Sequence, residues 1–503
     1  MRKYFVIGFL LIFSLLTAAE KSTHADFTWN KPEVYSRSEI SFLTGFPDAE
    51  KLFEIKDDPA DSSWHFALYP LKNISQSCRD YFSVEKKSDF INYNFIDKDH
   101  QGYIRLNILA GIEFTSSLTD SSYYFPYRGL QLQASIRNRL FFSGSWWAGY
   151  FQHDLPYAVK DSPILDSWTQ KSDDGKKLRI DNLSGMITYR NNWSNITLGR
   201  GKHIIGNNIG GSIILNDDAN DYGYFSGECN FGNFELSFLH ATLIPDSLQA
   251  LPKTYADKYL VTHQLLWRPS HKLSFFVGEH VIYANRSIDP SYLLPHTFYR
   301  ITEHNLRDRD NVLIFAGYTL KCSDHYLLYG NLILDELAKN KLFSNWWGNK
   351  YALQLGQIFY FKASQDNYLG IEITAVRPWL YTHNLMENKF SHDGVGLGFP
   401  GGSNLIQFTG EINLKIRPDI SLNLNSSYIR QGSTGNHFSL NYDQRPSENA
   451  EWLDGEISSI TNFNFSFTWV PLSAHNFKTG IVLTRNENLD LSKKIFFCYQ
   501  TIY

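Results

Sequence analysis

Arg200, Lys202 and His203 fall within four positions, a spacing that gathers cationic donors where acidic sugar units could be met by charge-assisted hydrogen bonds. Two further groups mix aromatic and polar residues: Trp346 and Trp347 with Asn345 and Asn349, and Trp379 and Tyr381 with Arg377 and His383. Indole and phenol rings stack on the C–H faces of sugars while flanking amide and cationic groups take the hydroxyls, so these groups suit glycan recognition. Each has a plainer reading. The basic trio can pair with acidic residues inside a barrel, and Trp and Tyr also concentrate in girdles at membrane interfaces.

Covalent chemistry finds no motif to rest on. There is no GxSxG nucleophile elbow, no HExxH and no GxxxxGK[ST] phosphate loop, and no cofactor or metal is expected. The run Gly206-Asn207-Asn208-Ile209-Gly210-Gly211 lacks the Lys and Ser or Thr of a phosphate loop and reads instead as a loop folding tightly, inward over a lumen. Asn216, Asp217, Asp218, Asn220 and Asp221 are rich in oxygen ligands, but an EF-hand register from Asp218 puts Tyr222 at a ligand position and Cys229 where the bidentate acid belongs. Glu279-His280 and Asp335-Glu336 are adjacent pairs, and neighbours on a strand point to opposite faces, so neither makes one acid/base site; they read as lumenal polar lining. Cys78, Cys229, Cys322 and Cys498 are far apart and make no metal spacing.

The elements that must position these residues are strands. From Tyr103, Ile104, Leu106, Ile108, Ala110, Ile112 and Phe114 alternate with Tyr103, Arg105, Asn107, Leu109, Gly111 and Glu113, one face wholly apolar and the other carrying charge. Similar runs follow to Tyr503, eighteen by our reading. Short connections such as Asn191-Asn192, Phe231 to Asn233 and Arg417 to Asp419 carry tight-turn residues. They alternate with long ones at 152–181, 201–221, 284–310, 378–404 and 430–459. Short periplasmic turns and long extracellular loops are the habit of outer-membrane barrels. The phase holds throughout, which predicts an all-β fold, an 18-stranded antiparallel transmembrane β-barrel closed by pairing of the strand from Tyr103 with the terminal strand Lys494 to Tyr503. A soluble propeller would show a blade repeat, and none is visible.

Composition agrees, with 16% aromatic residues and only 3 Met. After residue 25 no run of about 18 apolar residues remains for a helical span. Charge is nearly balanced, 47 basic against 51 acidic residues, and specifies no nucleic-acid partner. Arg2 and Lys3 precede an apolar run ending in small residues, so residues 1–25 read as a signal peptide cleaved after Ala19 or Ala25. Residues 26–102 alternate poorly and read as an N-terminal periplasmic or plug segment, with a strand at Trp64 to Leu71 and a helix near Pro47 to Ile55; the barrel is 103–503.

Several segments resemble the capsule assembly Wzi family of outer-membrane barrels. They are Leu198-Gly199-Arg200 with His203, Gly206 and Ser212-Ile213-Ile214-Leu215-Asn216; Ile288-Asp289-Pro290-Ser291-Tyr292-Leu293; Tyr329 to Glu336; Trp347-Gly348-Asn349-Lys350-Tyr351 leading into Leu355-Gly356; and Arg430-Gln431-Gly432. The resemblance implies a non-enzymatic barrel in the cell outer membrane that binds or retains surface, capsule-like polysaccharide through its extracellular loops. Its expected partners are outer-membrane lipid, that polysaccharide and the barrel-insertion machinery. A porin or transport channel, and an outer-membrane enzyme acting on lipid or glycan, are the competing expectations.

Overall fold

The computed structural model describes residues 91–502 apart from 98–99, 119–120, 137–138, 162–169, 172–174, 247–256, 308, 337–338, 342–343, 362–365, 473–474 and 488–490. Eighteen strands form the wall. The first nine are β1 His100–Ser117, β2 Ser122–Ile136, β3 Leu140–His153, β4 Lys177–Arg190, β5 Ser194–Gly201, β6 Tyr222–Phe231, β7 Phe234–Leu243, β8 Lys258–Ser270 and β9 Leu273–Ala284. The rest are β10 Asn311–Ser323, β11 Tyr326–Glu336, β12 Lys350–Tyr360, β13 Tyr368–Val376, β14 Leu405–Arg417, β15 Ile420–Gly432, β16 Ile457–Leu472, β17 His475–Asn486 and β18 Ser492–Ile502. Each is antiparallel to the next, and β1 pairs with β18 from Leu109↔Ile502 to Ser117↔Lys494, closing the barrel at the expected seam. Among the described residues closure gives every wall strand a partner on both sides, which matters in lipid, where an unpaired backbone group would cost several kcal/mol.

Alternation sorts the two faces. On β1 the outward Ile104, Ile112 and Phe114 are exposed while the inward Asn107, Leu109 and Glu113 are buried. The tight turns at one end are made by short polar side chains: Asn191 Oδ1 accepts from the amides of Trp193 and Ser194 at 3.0 and 2.8 Å. Near that end Phe234, Trp267 and Phe275 stack in a row, with centroids 6.1 and 5.9 Å apart, the arrangement of an interfacial girdle.

Two boundaries differ from the sequence reading. The second strand, expected over 130–137, begins at Ser122 as β2. Pro126 had disguised it. Proline cannot donate to a ladder, and the β2–β3 pairing skips Phe125 and Pro126 before resuming at Tyr127↔Gly149. Strand also extends upstream of Tyr103: β1 starts at His100, and a leading strand, Ile91–Asp97, pairs with it from Ile91↔Leu106 to Asp97↔His100. The signal peptide, the cleavage sites, Cys78, Tyr503 and the elements expected within residues 26–90 lie outside the described residues.

Candidate functional site

The loop between β5 and β6 turns inward, as its glycines suggest, and crosses the lumen. Asn207 Nδ2 donates to Thr319 Oγ1 on β10 at 2.5 Å, and Asn331 Nδ2 on β11 donates to the Asn207 carbonyl at 2.7 Å. Gln354 Nε2 on β12 reaches the Gly211 carbonyl at 2.7 Å, and the amides of Ile209 and Gly210 donate to the Glu372 carboxylate on β13 at 2.8 and 3.0 Å. Four successive strands of the far wall thus hold this one loop. Glycine is required at 211, where φ is 110° and a Cβ would stand 2.5 Å from the Pro400 ring.

A second inward loop, 377–404 between β13 and β14, packs on the first. Ile213, Ile214 and Leu215 share an apolar core with Leu380, Phe390, Leu397 and Phe399. The Tyr381 hydroxyl donates to the Ile213 carbonyl at 2.6 Å, and the Asn216 amide to the Leu397 carbonyl at 2.8 Å. The oxygen-rich stretch is absorbed by such contacts: Asn220 Nδ2 donates to Asp393 Oδ2 at 2.6 Å, and Asn182 Nδ2 to Asp221 Oδ2 at 2.8 Å.

The basic trio does not form one exposed cluster. Arg200 shares the outward face of β5 with Leu198, and its Nε donates at 3.1 Å to the Leu183 carbonyl, which lies just beyond the last β4–β5 pair, Gly185↔Arg200. Lys202 is buried with Nζ on the Asp217 carbonyl at 3.1 Å. His203 is fully buried, its ring 4.3 Å from that of Tyr224, and burial pushes its pKa down to about 3. It is therefore neutral near pH 7 and offers no charge to an acidic sugar. Inward folding at Gly201, invisible to local spacing, took these residues out of reach.

The second and third groups do converge, together with a loop in which sequence reasoning picked out nothing. Residues 344–349 and 448–450 run side by side: Trp346 bridges Asn449, the Trp347 amide donates to the Glu448 carbonyl at 3.1 Å, and the Ala450 amide to the Asn345 carbonyl at 2.7 Å. Trp347 Nε1 also donates to Glu448 Oε2 at 3.0 Å. Arg377 pins both segments, through Nε to the Asn349 carbonyl at 3.3 Å and Nη2 to the Ala450 carbonyl at 2.8 Å. Asn349 Nδ2 donates to the carbonyls of Lys341 and Ser344 at 2.8 and 2.9 Å. Trp379, at a φ of 67°, donates its amide to the Gly435 carbonyl at 2.8 Å and packs with Trp347 and Ala450.

This buried layer supports a wetter one. Trp346 and Tyr442 are half-buried, Trp452 is exposed, and His383 stands edge-on to Tyr442 with centroids 6.1 Å apart. Cations sit on the rings: Lys341 4.6 Å from the Trp346 centroid, Lys350 4.6 Å from Tyr442, Arg445 4.1 Å from Trp347 and Arg377 5.4 Å from Trp452. Of the residues picked from sequence, Trp346, Trp347, Asn349, Arg377, Trp379 and His383 belong here, whereas Tyr381 belongs to the plug. Tyr442, Arg445, Glu448 and Trp452 were missed, since the Trp347, Arg377 and His383 side chains they meet come from other loops far back in the chain.

No family model matches this sequence, and no curated protein matches it. Among solved structures the fold is similar to Wzi, described as a carbohydrate-binding β-barrel of the outer membrane involved in group 1 capsule assembly in Escherichia coli. That likeness has a TM-score of 0.51 at 12% identity and covers 78% of this chain and 83% of that one. OprD of Pseudomonas aeruginosa is similar at a TM-score of 0.45 and 10% identity, over 84% of this chain and 98% of that one. OccK3 (OpdO) of the same organism is similar at 0.46 and 10%, over 80% and 95%. The chain has the fold of an outer-membrane β-barrel.

Proposed function

We propose that this barrel sits in the outer membrane and binds or retains a surface polysaccharide on its extracellular loops, by stacking and hydrogen bonding with no covalent step. The observation that carries this reading is the platform of Trp346, Tyr442, Trp452 and His383, interleaved with Lys341 and Arg445, on a buried base fixed by Arg377 and Trp347. Fixed rings bind a flexible chain without first being ordered themselves. Support also comes from the plug: a lumen crossed by one loop and roofed by a second suits a surface-binding protein better than a wide pore. The carbohydrate binding of the similar Wzi barrel points the same way.

A second reading, transport, draws on the periplasmic half of the β14–β16 wall, where the inward Glu411, Asn413, Asn423 and Asn425 are only half-buried. The test is glycan-array binding by the refolded full chain beside a Trp346→Ala, Trp452→Ala variant. Binding in the wild type that falls at least tenfold in the variant supports the platform. Equal binding by both would remove it, and no binding together with large, steady single-channel conductance would favour transport.

A further inference from the structure

The connection between β9 and β10 does not stand up from the rim. Along β8 and β9 the outward face runs through Trp267, Leu265, His263, Val261 and Tyr259, and through Phe275, Val277, Glu279, Val281 and Tyr283. Its lower members, Trp267, Leu265, Phe275 and Val277, are exposed like the rest of the lipid-facing wall. Its upper members are covered. Tyr259, Val261, Glu279, Val281 and Tyr283, with the outward Val312 of β10, are buried against Tyr292 and Tyr299 of the connection. The cover is held by specific bonds. The Tyr299 amide donates to Glu279 Oε2 at 2.6 Å, the Tyr299 ring stacks on His263 at 4.2 Å, and His263 Nε2 lies 3.0 Å from Glu279 Oε2. Arg286 clamps the far side, 2.8 and 2.7 Å from the two oxygens of Asp310, which also accepts from the Tyr292 hydroxyl at 2.7 Å.

Depth follows from strand geometry. With about 3.3 Å per residue and a tilt of about 40°, Glu279 stands roughly 10 Å above the girdle row of Phe275, and Tyr283 roughly 20 Å. The apolar band of such barrels is about 25 Å tall. Glu279 and His263 therefore face outward at mid-band, where a bare carboxylate in hydrocarbon is costly, and the connection shields them. Its own outer surface carries Phe298, which is 70% exposed, with Ile301, Leu294, Leu293 and Ile288. Arg300, beside Phe298, is paired with Glu303 at 3.1 Å. From Tyr299 at the level of Glu279 the chain climbs to Asp310 at the top of β10, so the exposed Arg307 and Arg309 come at headgroup height.

We propose that residues 285–307 form a flap embedded in the outer leaflet against the barrel wall, with Phe298, Ile301 and Leu294 among lipid acyl chains. Its surface continues the lipid-facing band of Leu265, Val277 and Ile314, which identifies the occupant as membrane lipid. The proposal rests on the outer-membrane reading of the barrel, and the test separates the two.

Single cysteines would replace Val277 on the wall, Phe298 on the flap and Asn441 on an outer loop, in a chain whose own cysteines are serine. Each full-length protein, refolded into phospholipid vesicles, would be spin-labelled and its label probed with oxygen, which partitions into lipid, and with a water-soluble nickel chelate. We expect the label at 298 to match that at 277, oxygen-rich and chelate-poor, and the label at 441 to be the reverse. A label at 298 that behaves like the one at 441 would overturn the flap, and shielding from both reagents would do the same in favour of a protein cover. Exposure of 277 itself to the chelate would instead undo the membrane reading beneath it.

Discussion

The Gly210 amide donates to the Glu372 carboxylate at 3.0 Å, joining a loop that leaves the wall at β5 to a strand eight places further round an 18-stranded barrel. Nearly the full width of the lumen is spanned by that contact. Glu372 also accepts from the Ile209 amide and from the Tyr329 hydroxyl at 2.8 and 2.7 Å. A hydrogen bond contributes about 0.5–1.5 kcal/mol, and leaving a buried donor without its partner costs about 1–3 kcal/mol. Replacing Glu372 by Ala removes these three bonds, two of them to the loop, together with a fourth from Thr374 Oγ1 at 3.3 Å, and should free the middle of the loop. In planar bilayers we expect little or no conductance from the wild type and frequent stepwise openings from Glu372→Ala. Identical traces would show that the apolar packing of Ile213 to Leu215 holds the plug without Glu372.

The two adjacent tryptophans should separate in their effects. Trp346 is half-buried with Lys341 on its ring, while Trp347 is buried and anchored to Glu448. Trp346→Ala should weaken glycan binding about tenfold, equivalent to about 1.4 kcal/mol, and leave the loops protected from protease. Trp347→Ala should expose the segment 344–349 to cleavage, as large-to-small changes in packed sites cost about 3–5 kcal/mol. Equal protease sensitivity of the two variants would contradict the layered arrangement.

Acid should loosen the platform at one identifiable group. The Arg445 guanidinium, with Trp347 Nε1 as a second donor, holds the Glu448 carboxyl below its ordinary value of 4.5. A carboxylate with a depressed folded pKa contributes its stabilisation above the ordinary value and loses it as pH falls through the depressed one. Tryptophan emission should therefore be flat from pH 7 to about 5 and shift only under more acid conditions. Glu448→Gln should abolish that shift, and an unchanged acid transition in the variant would assign it elsewhere.

Closure between the first and last strands can be caught covalently. Leu109 and Ile502 are register partners on the inward face. With the native cysteines replaced by serine, Leu109→Cys with Ile502→Cys should form a disulfide in the refolded protein that shifts its mobility without reductant. Moving one cysteine to 110 places it on the opposite face and should prevent the bond. Cross-linking by both pairs alike would mean the seam is not fixed.

Most of the wall was legible in sequence because lipid on one side and a polar interior on the other impose a period of two on every strand, and turn residues mark the gaps. The exceptions have local causes. Pro126 hid eight residues of β2, and Ile91–Asp97, where Ile91, Tyr93 and Phe95 alternate with Asn92 and Asn94, went unseen because the segment around it alternates poorly. The site was half legible. Aromatic and cationic clusters could be found by composition, but whether a loop points into the lumen, as with Lys202 and His203, or down the outer wall, as with Glu279 and Tyr283, is decided by contacts more than a hundred residues apart or by faces that a pattern alone does not distinguish. Glu279, which looked like lumenal lining, is on the outside.

The leading strand Ile91–Asp97 gives the seam a mechanical stop. Along one edge of β1, Ile502 ends opposite Leu109 and Ile91 begins opposite Leu106, so the two chain segments meet nearly end to end. If β18 slid two residues further down, the smallest slip that keeps its faces, it would run into Ile91. Any larger slip in that direction would have to strip the leading strand from β1 first. The leading and closing strands therefore share one edge of β1, and a downward shift of the seam would have to displace Ile91–Asp97.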